Sequence, residues 1–174
     1  MPIPAPRLLA IAFLAASLPL AVIAQEKDTQ GGTPTDAGFF KNAGASGLAE
    51  VAFSELATKQ SSSGKVKDFA QTMIEDHGKA NDELRSLKSG DKGYSLVDKP
   101  LPDAQKALDA MSRMKGAEFD AAYRKQMIAD HEEAVASFEV EIEKGSNPEM
   151  KAFAKKTLPT LKHHLEMAKA LPTR

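Results

Sequence analysis

The chain has 174 residues, with 23 basic and 24 acidic side chains and a formal net charge of −1. It contains no Cys, which excludes disulfides, thiolate metal sites and cysteine nucleophiles. The signs of charge are mixed along the sequence and form no basic stripe, so the electrostatic footprint of a nucleic-acid-binding protein is lacking. We therefore expect no nucleic-acid partner.

The N-terminal sequence has the features of an export signal. Arg7 precedes an apolar run that is broken by Pro19 and ends in a small-x-small pattern at Ala24. This pattern predicts a secretory signal peptide over residues 1–24, cleaved after Ala24. The run is too short and too interrupted for a membrane span, and no lipobox cysteine follows it. We expect a periplasmic or secreted protein without a stable membrane span, whose polar residues 25–35 form a disordered leader.

Residues 36–174 are predicted to form one all-α domain. The spacing of apolar residues predicts four long helices, at about 36–60, 65–88, 116–144 and 148–171, and a short helix at about 102–111. The first pair and the last pair of long helices are joined by short loops, which makes each pair antiparallel. The long connection allows the second and third long helices to run parallel. One long crossover is the arrangement of a ferritin-like four-helix bundle.

A short phrase occurs twice in this domain. Met73-Ile74-x-Asp76-His77 returns 54 residues later as Met127-Ile128-x-Asp130-His131. At about 100° per residue, both histidines fall on the apolar side of their helices. A polar ring in that position has to be satisfied by a partner, a proton or a metal.

Two further polar residues are predicted to point inward. Glu50 lies among small residues on the first helix, and His164 lies within the apolar arc of the last. Counted from the turns at about 1.5 Å per residue, Glu50 and His77 differ in height by only a few Å. His131 and His164 differ by about 4–5 Å. We therefore expect one polar group from each long helix to converge on one zone of the bundle.

The converging set has two interpretations. In the first it holds a Zn, Cu or Fe ion, with Asp76 and Asp130 orienting the rings from outside the ligand set. The ligands would be Glu50, His77, His131 and His164. In the second interpretation the same groups pair with one another and only fix the helix register. The protein would then be a non-catalytic structural or envelope-stress interaction module.

The pattern of a di-iron enzyme is absent from the sequence. Such bundles use Glu-x-x-His on two helices, whereas Ile74, Ile128 and Leu161 stand three residues before the inward histidines. We therefore expect no oxygen-activating centre and favour a protein that is not an enzyme.

The methionines near the histidines would suit a soft copper ion, although Met at helical spacing is usually a core residue. These methionines are Met73, Met127 and Met167.

The sequence resembles an exported bacterial family known as domain of unknown function 4142. The resemblance covers about residues 36–171. It rests on Phe39…Ala43…Gly47…Glu50, on Val66-x-x-Phe69-Ala70-x-x-Met73-Ile74-x-Asp76-His77, on Gly116-x-x-Phe119-Asp120-x-x-Tyr123-x-x-x-Met127-Ile128-x-Asp130-His131, and on Leu158-Pro159-x-Leu161-x-x-His164-Leu165. The resemblance implies export and a ferritin-type bundle, but no established substrate. A metal ion, a second copy of the chain or an envelope protein are all partners compatible with it.

Overall fold

The structure is a computed structural model that describes residues 36–88 and 94–172. Within these residues every regular element is a helix, which confirms the all-α prediction. The helices are α1 (Asp36–Gln60), α2 (Gly64–Lys88), α3 (Pro102–Met111), α4 (Gly116–Lys144) and α5 (Pro148–Ala170). Each lies within about one residue of its predicted bounds. The predicted signal peptide and leader lie outside the described residues.

The residues at the start of α5 explain why the helix begins there. Asn147 precedes α5, and its side-chain oxygen accepts hydrogen bonds from the backbone N–H groups of Glu149 and Met150. Pro148 takes the first position of α5, where its missing N–H costs no hydrogen bond.

Among the described helices, none is long and apolar enough to cross a lipid bilayer.

Contacts between helices define their directions. Oδ1 of Asp36, at the start of α1, accepts a hydrogen bond from the backbone N–H of Ser146 at 2.9 Å, so α1 begins where α4 ends. Further along, Ser54 of α1 bonds to the hydroxyl of Tyr123 at 2.7 Å, near the start of α4. These contacts make α1 and α4 antiparallel. Since α1 and α2 are joined by a short turn, α2 and α4 run in the same direction, as the long crossover predicted. The ferritin-like classification stays a prediction.

Two apolar clusters fill the bundle. One contains Phe53, Phe69, Met73, Tyr123 and Met127, and the other is built around Phe39, Phe40, Leu84, Phe138 and Phe153. In α1, α2, α4 and α5 the predicted polar residue lies in sequence between members of the two clusters. The fold therefore places these polar side chains in a layer with apolar packing on both sides.

Candidate metal centre

Three imidazole rings from three helices meet in the polar layer. Their ring centroids are 5.5 Å apart for His77 and His131, 5.3 Å for His77 and His164, and 5.5 Å for His131 and His164. Each ring offers one nitrogen such that the three lie within 4.8 Å of one another. The exposed fractions are 6% for His77, 0% for His131, 1% for His164 and 2% for the neighbouring Glu50. The four residues that were predicted to converge therefore do so.

Glu50 pairs with the first of these rings. Its Oε2 lies 2.9 Å from Nδ1 of His77. Burial alone would raise the pKa of the Glu50 carboxyl, but the charge and hydrogen bond of His77 outweigh it, so the pKa lies below its usual value. Burial alone would lower the pKa of His77, but the Glu50 charge and hydrogen bond outweigh that effect and hold it above its usual value. Both shifts favour the charged forms, so without a metal the two side chains are poised as a buried ion pair.

The second ring is anchored to the backbone. Nδ1 of His131 lies 2.8 Å from the carbonyl oxygen of Met127. A carbonyl oxygen only accepts, so Nδ1 carries the proton and Nε2 presents a lone pair. Burial lowers the pKa of His131, the Glu50 charge opposes this, and the His77 charge adds to the lowering. The net pKa is below the usual value, so this ring is neutral at pH 7.

The third ring is held by a carboxylate from another helix. Nε2 of His164 donates to Oδ2 of Asp76 at 3.2 Å, which leaves Nδ1 as the lone-pair nitrogen. Burial, followed by the charges of His77 and His131, lowers the pKa of His164 to about 4. Asp76 opposes this shift but does not outweigh it. His164 is therefore neutral at pH 7, whereas its sequence neighbour His163 is exposed.

Each ring thus keeps one buried nitrogen free. Nε2 of His77, Nε2 of His131 and Nδ1 of His164 have no hydrogen-bond partner among the described residues. Buried polar atoms are normally satisfied, so three orphaned nitrogens on three converging rings require an explanation. An imidazole whose other nitrogen bonds to a carboxylate or a backbone carbonyl is the usual arrangement of a metal-binding histidine.

Asp130 and Oε1 of Glu50 do not hold a histidine ring in the way that Asp76 and Oε2 of Glu50 do. Asp130 accepts a hydrogen bond from Gln126 at 2.8 Å, and its described contacts include no histidine ring. Burial, followed by the Glu50 charge, raises the pKa of the Asp130 carboxyl to about 7. Oε1 of Glu50 lies 3.4 Å from Nδ1 of His131, but that N–H is already used by Met127. The carbonyl of Met127 and the amide of Gln126 were not identified from the sequence, because hydrogen-bond partners depend on side-chain rotation.

The sequence comparison decides the family. Residues 21–171 match the family described as domain of unknown function (DUF4142). The chain belongs to this family. The resemblance drawn from the repeated Asp-His phrase and its flanking residues is thereby confirmed. No curated protein matches the chain by sequence.

Solved structures share the helical fold at low sequence identity. A DUF305 fragment from Deinococcus radiodurans superposes with a TM-score of 0.68 at 12% identity, covering 78% of this chain and 93% of that one. CopM in its Cu(I)-bound form gives 0.65 at 18% identity, covering 78% and 94%. A DUF305 protein from Streptomyces coelicolor gives 0.66 at 15% identity, covering 78% and 89%. At these identities the likeness shows the fold alone.

A cavity reaches the cluster from one side. It has a volume of about 540 Å³, and both Glu50 and His77 form part of its wall, together with the exposed Asp103 and Glu133. His131 and His164 are not among its lining residues. The cavity therefore gives an ion a path from solvent to the Glu50–His77 side of the cluster.

Proposed function

We propose that this protein is exported and binds one transition-metal ion through His77, His131 and His164. The observation that carries the proposal is the set of three orphaned, buried imidazole nitrogens on rings whose centroids lie within 5.5 Å of one another. Each ring is already aimed by a bond at its other nitrogen, which is how proteins orient metal-binding histidines.

The alternative, a register-fixing network in a structural or envelope-stress module, explains less. It accounts for the pairs of His77 with Glu50 and of His164 with Asp76. It does not account for the second nitrogen of any ring. A network that only fixed register would be expected to satisfy both nitrogens of a buried ring, since an orphaned buried group costs about 1–3 kcal/mol.

The carboxylates around the cluster support the rings. Oε2 of Glu50 holds His77, and Asp76 holds His164, so both carboxylates orient ligands and lower the cost of a buried cation. Oε1 of Glu50 is the carboxylate atom left for direct coordination, as the sequence predicted for this residue. We propose no such role for Asp130, which is bonded to Gln126.

Donor chemistry limits the choice of ion. Three neutral imidazoles beside a carboxylate suit Zn, Cu or Fe rather than Ca or Mg, which prefer oxygen ligands. Met73 and Met127 belong to an apolar cluster, where thioether groups act as core packing. CopM, a protein of the same fold, has solved structures in Cu(I)- and Cu(II)-bound forms, so copper is among the ions to test first.

Metal binding by matched histidine variants tests the proposal. Mature protein is stripped with a chelator and then dialysed against Zn²⁺, Cu²⁺ or Fe²⁺, and bound metal is measured by elemental analysis. We expect about one ion per chain for at least one metal. At a free concentration of about 100 Kd, binding should stabilise the fold by about 2.7 kcal/mol and raise Tm by about 10 °C.

The controls separate the buried ring from the exposed one. His131→Gln removes a ligand and is expected to lose both the bound ion and the rise in Tm. His163→Gln changes the exposed neighbour of His164 and should behave as wild type. Wild-type protein that binds none of the three ions and shows no rise in Tm would leave the register-fixing interpretation standing.

A further inference from the structure

The cavity beside the histidine cluster is larger than an ion requires. Its volume of about 540 Å³ falls within the range of about 300–1,000 Å³ that is typical of small-molecule sites. Small side chains from several helices line the cavity and do not fill its volume. Ala43 and Ala49 come from α1, Ala80 from α2 and Ala134 from α4.

Along α2 and α4 the wall of the cavity changes from polar to apolar, whereas α1 contributes the polar residues Asn42, Ser46 and Glu50. On α2 it passes from His77 through Asn81 to Leu84. On α4, which runs in the same direction, it passes from Gln126 and Asp130 to Phe138. Seven residues of helix separate His77 from Leu84, or about 10 Å. The two ends of the cavity therefore suit the two ends of an amphipathic molecule.

The charge of the wall selects among such molecules. Among the described lining residues there are four carboxyl groups and neither Lys nor Arg. Glu50 is paired with His77, and Asp103 with Lys106, whereas Asp130 and Glu133 have no ion-pair partner in the described part of the chain. The charge of His77 offsets that of Glu50, so the net charge of the wall is negative and comes from Asp130 and Glu133. A cleft with a net negative charge attracts cations and repels anions.

We propose that this cavity binds a small organic amine with an apolar body. The protonated nitrogen lies at the end formed by Glu50, Asn81 and Asp130, and the apolar body lies between Leu84 and Phe138. The proposal concerns a site beyond the three histidines and does not require that a metal be bound.

Three probes of matched shape test the selectivity. They are 4-phenylbutylamine, 4-phenylbutanol and 4-phenylbutanoate, titrated into the mature full-length protein at about pH 8 with a chelator present. At that pH the amine is protonated and the carboxylic acid is ionised. We expect the amine to bind with a Kd of about 1 mM, the range usual for a ligand of this size. The carboxylate should bind at least about tenfold more weakly, because it meets like charges at the polar end.

Cavity-filling variants test the location. Ala134→Phe fills the space, and Ser137→Phe fills it from the next turn in case the first variant does not fold. Ala136→Phe is the matched control, because Ala136 is exposed and does not line the cavity. Binding is followed by NMR chemical-shift titration and folding by circular dichroism. We expect the filling variants to weaken amine binding at least about tenfold and the control to retain it.

The amine titrations test this site independently of metal binding. The proposal is overturned if no probe binds below about 10 mM, if the carboxylate binds as tightly as the amine, or if a folded filling variant binds the amine as wild type does. Because a chelator is present throughout, failure here leaves the metal site untouched, and failure of metal binding leaves this site untouched.

Discussion

Oδ2 of Asp76 lies 3.2 Å from Nε2 of His164, so the carboxylate on α2 serves a ring on α5 and not the ring that follows it in sequence. Nδ1 of that following ring, His77, is taken by Glu50 of α1. The polar layer is therefore connected across helices, and each connection fixes the direction of one unpaired nitrogen. This geometry makes the carboxylates part of the proposed metal site even where they do not touch the ion.

The bond from His164 to Asp76 predicts an effect on affinity without loss of a ligand. Asp76→Asn replaces the carboxylate with an amide, so His164 is aimed less firmly and becomes less basic. We expect metal affinity to fall by about 10–100-fold, measured by competition with a chromophoric chelator. Glu75→Gln, one residue earlier and exposed, is the matched control. Equal affinities for the two variants would show that Asp76 does not support the site.

The pKa of His77 predicts that metal binding releases a proton. Because the charge and hydrogen bond of Glu50 outweigh burial and hold this pKa above its usual value of 6.5, an ion has to displace the His77 proton below that pH. We expect calorimetry in buffers of different ionisation enthalpy to show release of about one proton per ion at about pH 6. Glu50→Gln removes the raising charge, so this variant should release fewer protons. Proton release that is unchanged in Glu50→Gln contradicts the assignment.

The buried neutral state of His164 predicts how stability depends on pH. Its folded pKa of about 4 lies below the unfolded value of 6.5, so the unfolded chain binds the proton first as pH falls. The stability contributed by the neutral ring is complete above about pH 6.5 and is lost between about 6.5 and 4. In metal-free protein, the unfolding free energy of wild type relative to His164→Gln should fall by about 2 kcal/mol from pH 7.5 to 5. Urea titrations measure it, and a pH-independent difference would refute a neutral His164.

The buried carboxyl of Glu141 predicts the opposite dependence of stability on pH. Burial, followed by the hydrogen bond and charge of Asp36, raises the pKa of Glu141 to about 7. For an acid with a raised folded pKa, stability is lost as pH rises from about 4.5 to 7. From pH 5 to pH 8 the unfolding free energy of wild type should therefore fall by about 1–2 kcal/mol relative to that of Glu141→Gln. This value is discounted for the solvent near the carboxyl group.

The exposed Glu143 supplies the control for that prediction. Glu143→Gln should show no comparable shift between pH 5 and 8. If the urea midpoints of Glu141→Gln and wild type change in parallel across this range, Glu141 is not a buried acid with a raised pKa.

The sequence predicts the helices well because their ends are strongly marked. The Ser61–Gly64 turn and the Gly145–Pro148 turn both break the apolar spacing, and the bounds of α1, α4 and α5 follow from them. Counting residues from these turns also places Glu50 within a few Å of His77 in height, and His131 within about 4–5 Å of His164. Such counting needs only the rise of a helix.

The bonding pattern within the layer is beyond sequence reasoning. Asp76 and Asp130 occupy the same place in the repeated phrase, yet one reaches His164 and the other bonds to Gln126. Which of two flanking carboxylates finds a ring depends on helix rotation and rotamers, not on spacing along the chain. The cavity was likewise missed, because its volume is a property of how Ala43, Ala80 and Ala134 face one another across helices.

X-ray absorption spectroscopy of metal-loaded protein tests the central claim most directly, because it counts the ligands. For Zn²⁺-loaded wild type we predict about three nitrogen scatterers at about 2.0–2.1 Å, with the multiple-scattering signature of imidazole. His163→Gln should give the same spectrum, and His131→Gln should lose one imidazole contribution or the ion itself. A shell of oxygen ligands alone, or an imidazole signal unchanged by His131→Gln, would contradict a metal centre formed by His77, His131 and His164.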